Sequence, residues 1–400
     1  MINRRILYAA SFLRALATGM IGVLLGVYLG KLQLGPTWSG LVITGGLAGA
    51  AGAALLATLL GDRWGPKRFL IALSLLSAGG GVLFALAREP VVMAATAFLG
   101  MVNGMGRDRG AALILEQAML PSTTSDEGRT RVFAVYNILQ DFGHALGGLL
   151  ATLPSVLERF GLAQGEHAFR ISILVYSGVP LITVLLYLRL SGLTRRETGP
   201  ATTVSPESRR ILWKISSLFA LDSLGGGFLT SALLAYFFYE RFGVEQGAIG
   251  LLFFAARAAN AVSHFGAAWL ARRIGLVNTM VFTHIPSSLL LVTVPFAPTF
   301  WVAAALFLLR EGLVEMDVPT RQSYVMAVVR PEERTIASGV TNLVRMGAWA
   351  AAPGVAGVLI RVVTQAAPLF IGAGLKIVYD VALYVSFRKI RPPEERRHDG

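Results

Sequence analysis

The sequence predicts an all-α membrane protein with twelve transmembrane helices, and three observations carry that expectation. Of its 400 residues 54% are hydrophobic and only 15% charged, whereas soluble domains carry about 25% charge to cover a water-facing surface. Mean hydropathy is +0.62, and apolar segments of the roughly 20 residues that a spanning helix needs recur almost without pause. Lys and Arg, finally, gather in alternate connections between those segments. Barrel strands would show as alternating segments of about 10 residues, not as these continuous apolar runs.

Taken in order, the first span covers 6–30, behind Arg4 and Arg5. It is longer than a signal-peptide core and has no clear small-residue cleavage site, so it is read as a retained span. Spans at 38–60 and 69–87 are separated by Arg63, Lys67 and Arg68, and a fourth follows at 91–117. The fifth and sixth, 132–153 and 168–190, follow Arg129 and Arg131. In the second half come 211–238, 246–271, 276–297, 299–325, 336–360 and 366–388, the ninth and tenth divided only by Ala297-Pro298-Thr299. With both termini on the cytoplasmic side, twenty Lys and Arg fall in cytoplasmic segments and six on the other side, the positive-inside asymmetry. The net charge of +13 therefore reports topology, and nucleic-acid binding has no support.

Residues 191–210, rich in Thr, Ser, Pro, Glu and Arg, read as a cytoplasmic linker. It divides the chain into a six-helix bundle at 1–190 and a second at 211–400 that ends in a short basic tail. The halves echo each other: Gly40-Leu41 matches Gly250-Leu251, Arg63-Trp64-Gly65 matches Arg273-Ile274-Gly275, and Arg129-Thr130 with Asn137 matches Arg334-Thr335 with Asn342. A duplicated six-span unit is the architecture expected of a transporter that works by alternating access, with its site between the halves.

These residues resemble the major facilitator superfamily. Its signature between spans 2 and 3 is echoed by Gly61-Asp62-Arg63-Trp64-Gly65-Pro66-Lys67-Arg68, with Thr58 where the family has its first Gly. The resemblance implies a cytoplasmic latch made by Asp62, Arg63, Gly65, Lys67 and Arg68, its bases pairing with neighbouring acids. Arg107-Asp108-Arg109-Gly110 is similar to the span 4 motif of the family's drug–proton antiporters, with Arg109 in place of Gln. Gly143, Gly147 and Gly148 partly echo their span 5 motif. The resemblance implies a cavity lined by spans 1, 4, 7 and 10 and flanked by 2, 5, 8 and 11.

An ionisable group inside a span costs about 2.5–3.5 kcal/mol on insertion scales and marks a functional site by default. Here Arg14 falls in span 1, Arg107, Asp108, Arg109 and Glu116 in span 4, Asp141 and His144 in span 5, and Asp222 in span 7. Arg257 and His264 follow in span 8, Arg310, Glu311, Glu315, Asp317 and Arg321 in span 10, and Arg345 in span 11. At 100° per residue Asn137, Asp141 and His144 share one face, as do Arg257, Asn260 and His264. On span 10, Glu311, Glu315 and Gln322 share one face and Arg310, Asp317 and Arg321 another.

Asp141 with His144, and Glu311 with Glu315, are the proton-coupling candidates. A carboxylate in low dielectric beside a second one holds its proton more tightly, and histidine titrates near neutrality. Protonation there can switch pairing with Arg257, Arg14 or Arg109; the alternative is a static polar network. Arg107, Asp317 and Arg321 are gate candidates, while Asp108 is open between a coupling role and a structural pair with a flanking Arg.

The resulting expectation is a proton-coupled secondary transporter that exports a small organic or amphiphilic compound. It would be an integral protein of a bacterial-type plasma (inner) membrane, functional as a monomer, with no cofactor beyond the proton. The alternative is uptake or facilitated passage of an anionic metabolite held by Arg14, Arg107, Arg109 and Arg257. A divalent-metal reading has no tight ligand spacing to support it, and zero Cys removes thiolate metal sites and disulfides. An intramembrane enzyme lacks a nucleophile motif, a receptor would not keep the midplane charges, and no P-loop is present.

Overall fold

A computed structural model of the chain describes residues 2–108, 110–124, 129–191, 205–316 and 334–387. Among them the secondary structure is helical, and of fifteen α-helices fourteen fall on the twelve spans, while the short helix Leu153–Arg159 lies in the connection between the fifth and the sixth. The first half contains α1 (Ile2–Lys31), α2 (Pro36–Trp64), α3 (Pro66–Leu86), α4 (Pro90–Gly100), α5 (Ala111–Met119), α6 (Arg129–Leu150), α7 (Leu153–Arg159) and α8 (Glu166–Leu188). The second contains α9 (Pro206–Gly227), α10 (Ser231–Phe242), α11 (Gln246–Ile274), α12 (Leu276–Thr293), α13 (Phe300–Val314), α14 (Arg334–Val362) and α15 (Ala367–Phe387). Eight helical segments among the described residues are long and apolar enough to cross a membrane.

Several boundaries differ from the sequence reading, each for a local reason. Span 4 is not one helix over 91–117: α4 stops at Gly100, and 101–108 is irregular before α5 begins at Ala111. Met101 turns left-handed (φ 53°), and the Val102 N–H bonds back to the Ala97 carbonyl at 2.9 Å, the 6→1 closure of a helix end. Asn103 then replaces helical bonding with its own side chain, its Oδ1 accepting from the Met105 N–H (2.9 Å) and its Nδ2 donating to the Arg107 carbonyl (2.8 Å). Span 7 is likewise divided, into α9 and α10. The triplet Gly225-Gly226-Gly227 closes the first piece, and Thr230 caps the second by accepting the Leu233 N–H at 3.2 Å. The basic motif after span 2 is divided between the last turn of α2, with Arg63, and the first turn of α3, with Lys67 and Arg68, and the turn itself is Gly65 alone, at φ 80°.

Contacts divide the chain into two compact units. One comprises Met1–Thr198, Thr230–Phe254 and Pro353–Gln365; the other comprises Gly199–Leu229, Ala255–Ala352 and Ala366–Gly400. In the second, Ile215 and Phe219 of α9, Val277, Met280 and Val281 of α12, and Tyr379, Leu383 and Phe387 of α15 form a buried apolar core. In the first, the α10, early α11 and late α14 segments pack on the first-half helices at the end remote from the N-terminus. The Ser231 hydroxyl donates to the Met105 carbonyl (3.0 Å) and the Ala232 N–H to the Gly104 carbonyl (3.0 Å). The Gln246 amide donates to the Ala151 carbonyl (2.9 Å), and the Gly354 N–H donates to the Thr44 hydroxyl (2.8 Å). Close approach of α2 and α14 requires glycine on both sides. A Cβ on Gly40 would lie 2.2 Å from the Pro353 carbonyl oxygen, and one on Gly357 would lie 2.3 Å from that of Pro36.

A Cβ at residue 354 would stand 3.9 Å from the Thr44 Cβ, within the roughly 3.5–4.5 Å that a disulfide spans. Because the native chain has no Cys, the pair Thr44→Cys with Gly354→Cys should oxidise to one intramolecular disulfide. Loss of maleimide labelling, restored by reductant, measures it; full labelling after oxidation would contradict this packing of α2 on α14.

Candidate functional site

In the first-half unit the polar centre forms around Arg14, whose guanidinium sits 12% exposed on the middle of α1. Its Nε and Nη2 reach Asp108 Oδ2 at 3.0 and 2.9 Å, and Nη1 reaches Glu116 Oε1 at 2.5 Å. Nη1 also donates to the Tyr187 hydroxyl at 2.7 Å. Glu116, fully buried on α5, accepts in addition the hydroxyls of Tyr187 (2.6 Å) on α8 and Tyr136 (2.7 Å) on α6. Five segments thus converge on one guanidinium.

The break in span 4 is what presents Asp108. Within a continuous helix its N–H would bond to the Gly104 carbonyl; here it donates to His144 Nε2 at 2.8 Å. A ring nitrogen that accepts carries no proton, so Nε2 of the buried His144 is bare in this arrangement. The turn through Gly106 (φ 70°) also lies against α1: a Cβ on Gly22 would meet the Gly106 Cα at 2.3 Å. Arg14 and Asp108, with Ser74, Ser77, Asn103 and Thr183, line a cavity of about 100 Å³ inside this unit. That volume admits several waters but falls short of the roughly 300–1,000 Å³ of a drug-sized pocket.

The other candidates sort as follows. Asn137 and Asp141 are exposed on α6. Arg107 lies half-buried in the break. Asp108 pairs across to Arg14 on α1. In the second unit Arg257 is half-buried on α11, and Asn260, one turn on and buried, donates to Glu311 Oε2 of α13 at 2.7 Å. Glu311 also pairs with the adjacent Arg310. The wheel put Arg310 and Glu311 on different faces of span 10, but the length of the arginine side chain lets it reach back to its neighbour. Glu315 is half-buried at the C-cap of α13. Asp222 of α9 is buried and accepts from Lys376 of α15 at 2.8 Å.

Of the latch residues, Lys67 donates to the carbonyls of Leu188 and Leu190, both at 2.7 Å. It therefore satisfies the C-terminal end of α8, where a cation also meets the negative end of the helix dipole, rather than an acid. Arg68 is exposed. The side chains of Asp62, Arg63 and His264, and all of Arg109, Asp317, Arg321 and Gln322, lie outside the described residues.

Sequence reasoning passed over Tyr136 and Tyr187, since a tyrosine in an apolar span carries no distinguishing mark. It also passed over His284, Lys376 and Asp380. Those three did carry a signal, being ionisable groups within the predicted spans 276–297 and 366–388.

Truncation at Arg14's partners should follow burial. Glu116→Ala leaves a buried guanidinium short of one carboxylate and should destabilise the protein by about 3–5 kcal/mol. Tyr187→Phe, which removes only hydroxyl hydrogen bonds, should cost about 1–3 kcal/mol. Thermal unfolding in detergent measures both, and the reverse order would contradict the geometry.

The family model described as Major Facilitator Superfamily matches residues 7–353 and, again, 217–398. Over 393 residues the chain is 26% identical to the uncharacterized membrane protein YJR124C of Saccharomyces cerevisiae, covering 89% of this chain and 87% of that protein. A multidrug resistance protein MdtG of Rahnella sp. is 30% identical over 159 residues, which is 38% of this chain and only 37% of the relative. Among solved structures, the nucleoside transporter NupG superimposes with a TM-score of 0.75 at 16% identity, covering 97% of this chain and 100% of that one. An inward-facing bacterial homolog of the human lysosomal transporter Spinster gives 0.69 at 14% identity, covering 96% and 94%. The chain belongs to the major facilitator superfamily and is a multi-pass membrane transporter with that family's fold.

Proposed function

We propose that the chain is a proton-coupled secondary transporter that exports a small organic or amphiphilic compound by alternating access. The observation that carries this reading is the Arg14–Asp108–Glu116 centre: ionisable groups on three segments of the first half meet beside a cavity, at a break in the helix that supplies Asp108. A carboxylate held by an arginine within reach of a small wet space can exchange a proton and release its partner. His144, whose Nε2 accepts the Asp108 N–H, loses that bond on protonation, so proton uptake there and rearrangement of 101–108 are linked.

Export is supported by the partial match to a multidrug resistance protein and by the Arg107–Gly110 motif. The packing of α10, α11 and α14 segments on first-half helices at the end remote from the N-terminus, through neutral hydrogen bonds, supports a cycle in which these segments part and rejoin. The anion-uptake alternative draws less support, because Arg14 is engaged by two carboxylates and offers a solute no free fork. The basic segregation supports cytoplasmic termini, an inner membrane, and a division into 1–190, a linker at 191–210 and 211–400. A monomer with no resident cofactor and no nucleic-acid partner completes the reading. Alongside Asp108 and His144, Asp141, Glu311 and Glu315 are the coupling candidates.

The test is flux of a fluorescent amphiphilic cation, ethidium, into inverted vesicles containing the purified protein. An interior-acid gradient should drive accumulation, and dissipating the gradient with an ionophore should abolish it. Asp108→Asn should lower gradient-driven uptake at least about tenfold, equivalent to ~1.4 kcal/mol. Uptake indifferent to the gradient in the unmodified protein would remove the coupling claim.

A further inference from the structure

Asp222 is one end of a chain of four ionisable side chains that runs through α9, α15 and α12, all within the second unit. Lys376 Nζ lies 2.8 Å from Asp222 Oδ1 and 3.3 Å from His284 Nε2. His284 Nδ1 lies 2.9 and 3.0 Å from the two oxygens of Asp380. Relative exposures are 4% for Asp222, 8% for Lys376, 1% for His284 and 0% for Asp380. Lys376 and Asp380 stand one turn apart on α15, so one helix presents both charges to its two neighbours. The Tyr379 ring meets His284 edge-on at 6.2 Å. From α14, Arg345 Nε donates to the hydroxyl of Ser223, next to Asp222, at 3.1 Å, with its guanidinium over the Trp349 ring.

Donor bookkeeping assigns the protons. A lysine ammonium has donors and no acceptor, and a neutral imidazole has one of each. Lys376 therefore donates to His284 Nε2, and the ring's single proton sits on Nδ1 and is donated to Asp380. In that state two carboxylates face one ammonium, so the four groups sum to one negative charge, with the Arg345 guanidinium on Ser223 beside them. A further proton has one vacant nitrogen to occupy, His284 Nε2. Placing it there brings the sum over the four groups to zero, but it also turns an N–H toward the Lys376 ammonium. The 3.3 Å contact must then open, and the chain resolves into two ion pairs, Asp222 with Lys376 and Asp380 with His284.

We propose that Asp222, Lys376, His284 and Asp380 form a proton-binding site that takes up one proton at His284 Nε2 by breaking the Lys376–His284 link. Resting on the proton-coupled reading above, this site is the second half's own coupling device, distinct from the Arg14 centre of the first.

The test uses the full-length protein, labelled with 15N-histidine and reconstituted in nanodiscs of phosphatidylethanolamine and phosphatidylglycerol. Five histidines are present, and His284→Gln assigns the relevant signal. The expected spectrum shows His284 protonated on Nδ1 alone in alkali and gaining the Nε2 proton as pH falls. Asp380→Asn removes an anion and Lys376→Met a cation, so the two should move the midpoint in opposite senses, each by about one pH unit or more, a tenfold change in proton affinity. If either variant fails to fold, the pair Asp222→Asn with Lys376→Met, which removes a whole ion pair, replaces it. An Nε2 that never gains a proton, or a midpoint unmoved by both changes, overturns the site.

Ethidium flux supplies the independent arm. Asp380→Asn should lower gradient-driven flux at least about tenfold relative to the same variant's gradient-free counterflow. Gradient drive unchanged in Asp380→Asn overturns the coupling role. Unmodified protein indifferent to the gradient, with the Nε2 titration as expected, overturns the coupling reading and leaves the proton site established.

Discussion

A guanidinium cannot lose its proton inside a protein, and a charge at mid-depth in a bilayer is tolerated only when paired or hydrated. Arg14 sits under that constraint, and much of the first half is arranged to meet it. Two carboxylates and two tyrosine hydroxyls close around the fork, and they come from the 101–108 break, α5, α6 and α8. The break is part of the same solution. A continuous span 4 would consume the Asp108 N–H in its own ladder; with the ladder interrupted, the N–H goes to His144 and the side chain to Arg14. The local devices that interrupt it, the left-handed Met101, the Asn103 side-chain bonds and Gly106 packed on Gly22, cost helical bonding and are offset by an ionic centre that ties five segments together.

The second half meets the same constraint with other helices. Arg14 and Asp222 lie on the first and seventh spans, which correspond in the two-half repeat, yet they are opposite in sign. Asp222 pairs with Lys376 of the twelfth span, the counterpart of the sixth that supplies Tyr187, and the chain continues to His284 of the ninth, whose counterpart, the third, supplies no ionisable group to the Arg14 centre. A repeat that preserves helix order therefore does not preserve its ion pairs. The first centre borders a cavity, and the four groups of the second are each at most 8% exposed. An ion pair beside water is loosened by dielectric, whereas one in a dry core changes only when a proton changes its charge.

The spans were legible because a bilayer imposes a length on apolar sequence that few other contexts impose, and the end of α1 at Lys31 or the start of α15 at Ala367 falls where hydropathy places it. The breaks were less so. Gly100, Gly104, Gly106 and Gly110 crowd span 4, and Gly225 to Gly227 crowd span 7, but in membranes such glycines equally mark close helix crossings, and hydropathy alone does not separate the two uses. Within the site, Arg14 and Asp108 were visible as expensive groups in apolar sequence. That Arg14 would choose Glu116, 102 positions away, over Asp141 or a neighbouring charge was not, because spacing sorts side chains only within one helix. His284, Lys376 and Asp380 obeyed the same cost rule as Arg14 and were readable by it; they lie outside the helices that the family resemblance directs attention to.

The interactions that join second-half segments to the first half within one unit are of another kind. They are neutral: a hydroxyl to a carbonyl at Ser231, an amide to a hydroxyl at Gly354, an amide to a carbonyl at Gln246, with glycines allowing the backbones to touch. A neutral hydrogen bond contributes about 0.5–1.5 kcal/mol net, whereas breaking a buried ion pair costs about 3–5 kcal/mol. A handful of the former makes a contact surface in which water can replace each bond in turn. A buried ionic link across it would leave an unpaired charge each time it opened. Two of the unit boundaries fall beside residues that weaken a helix, at Leu229–Thr230 after three glycines and at Ala352–Pro353, where proline forfeits one ladder bond; a third, at Phe254–Ala255, lies inside the continuous α11. Within the first unit the chain therefore carries contacts of two strengths: ionic ties at Arg14 that hold until a charge changes, and neutral bonds at Ser231, Gln246 and Gly354 that water can replace one at a time.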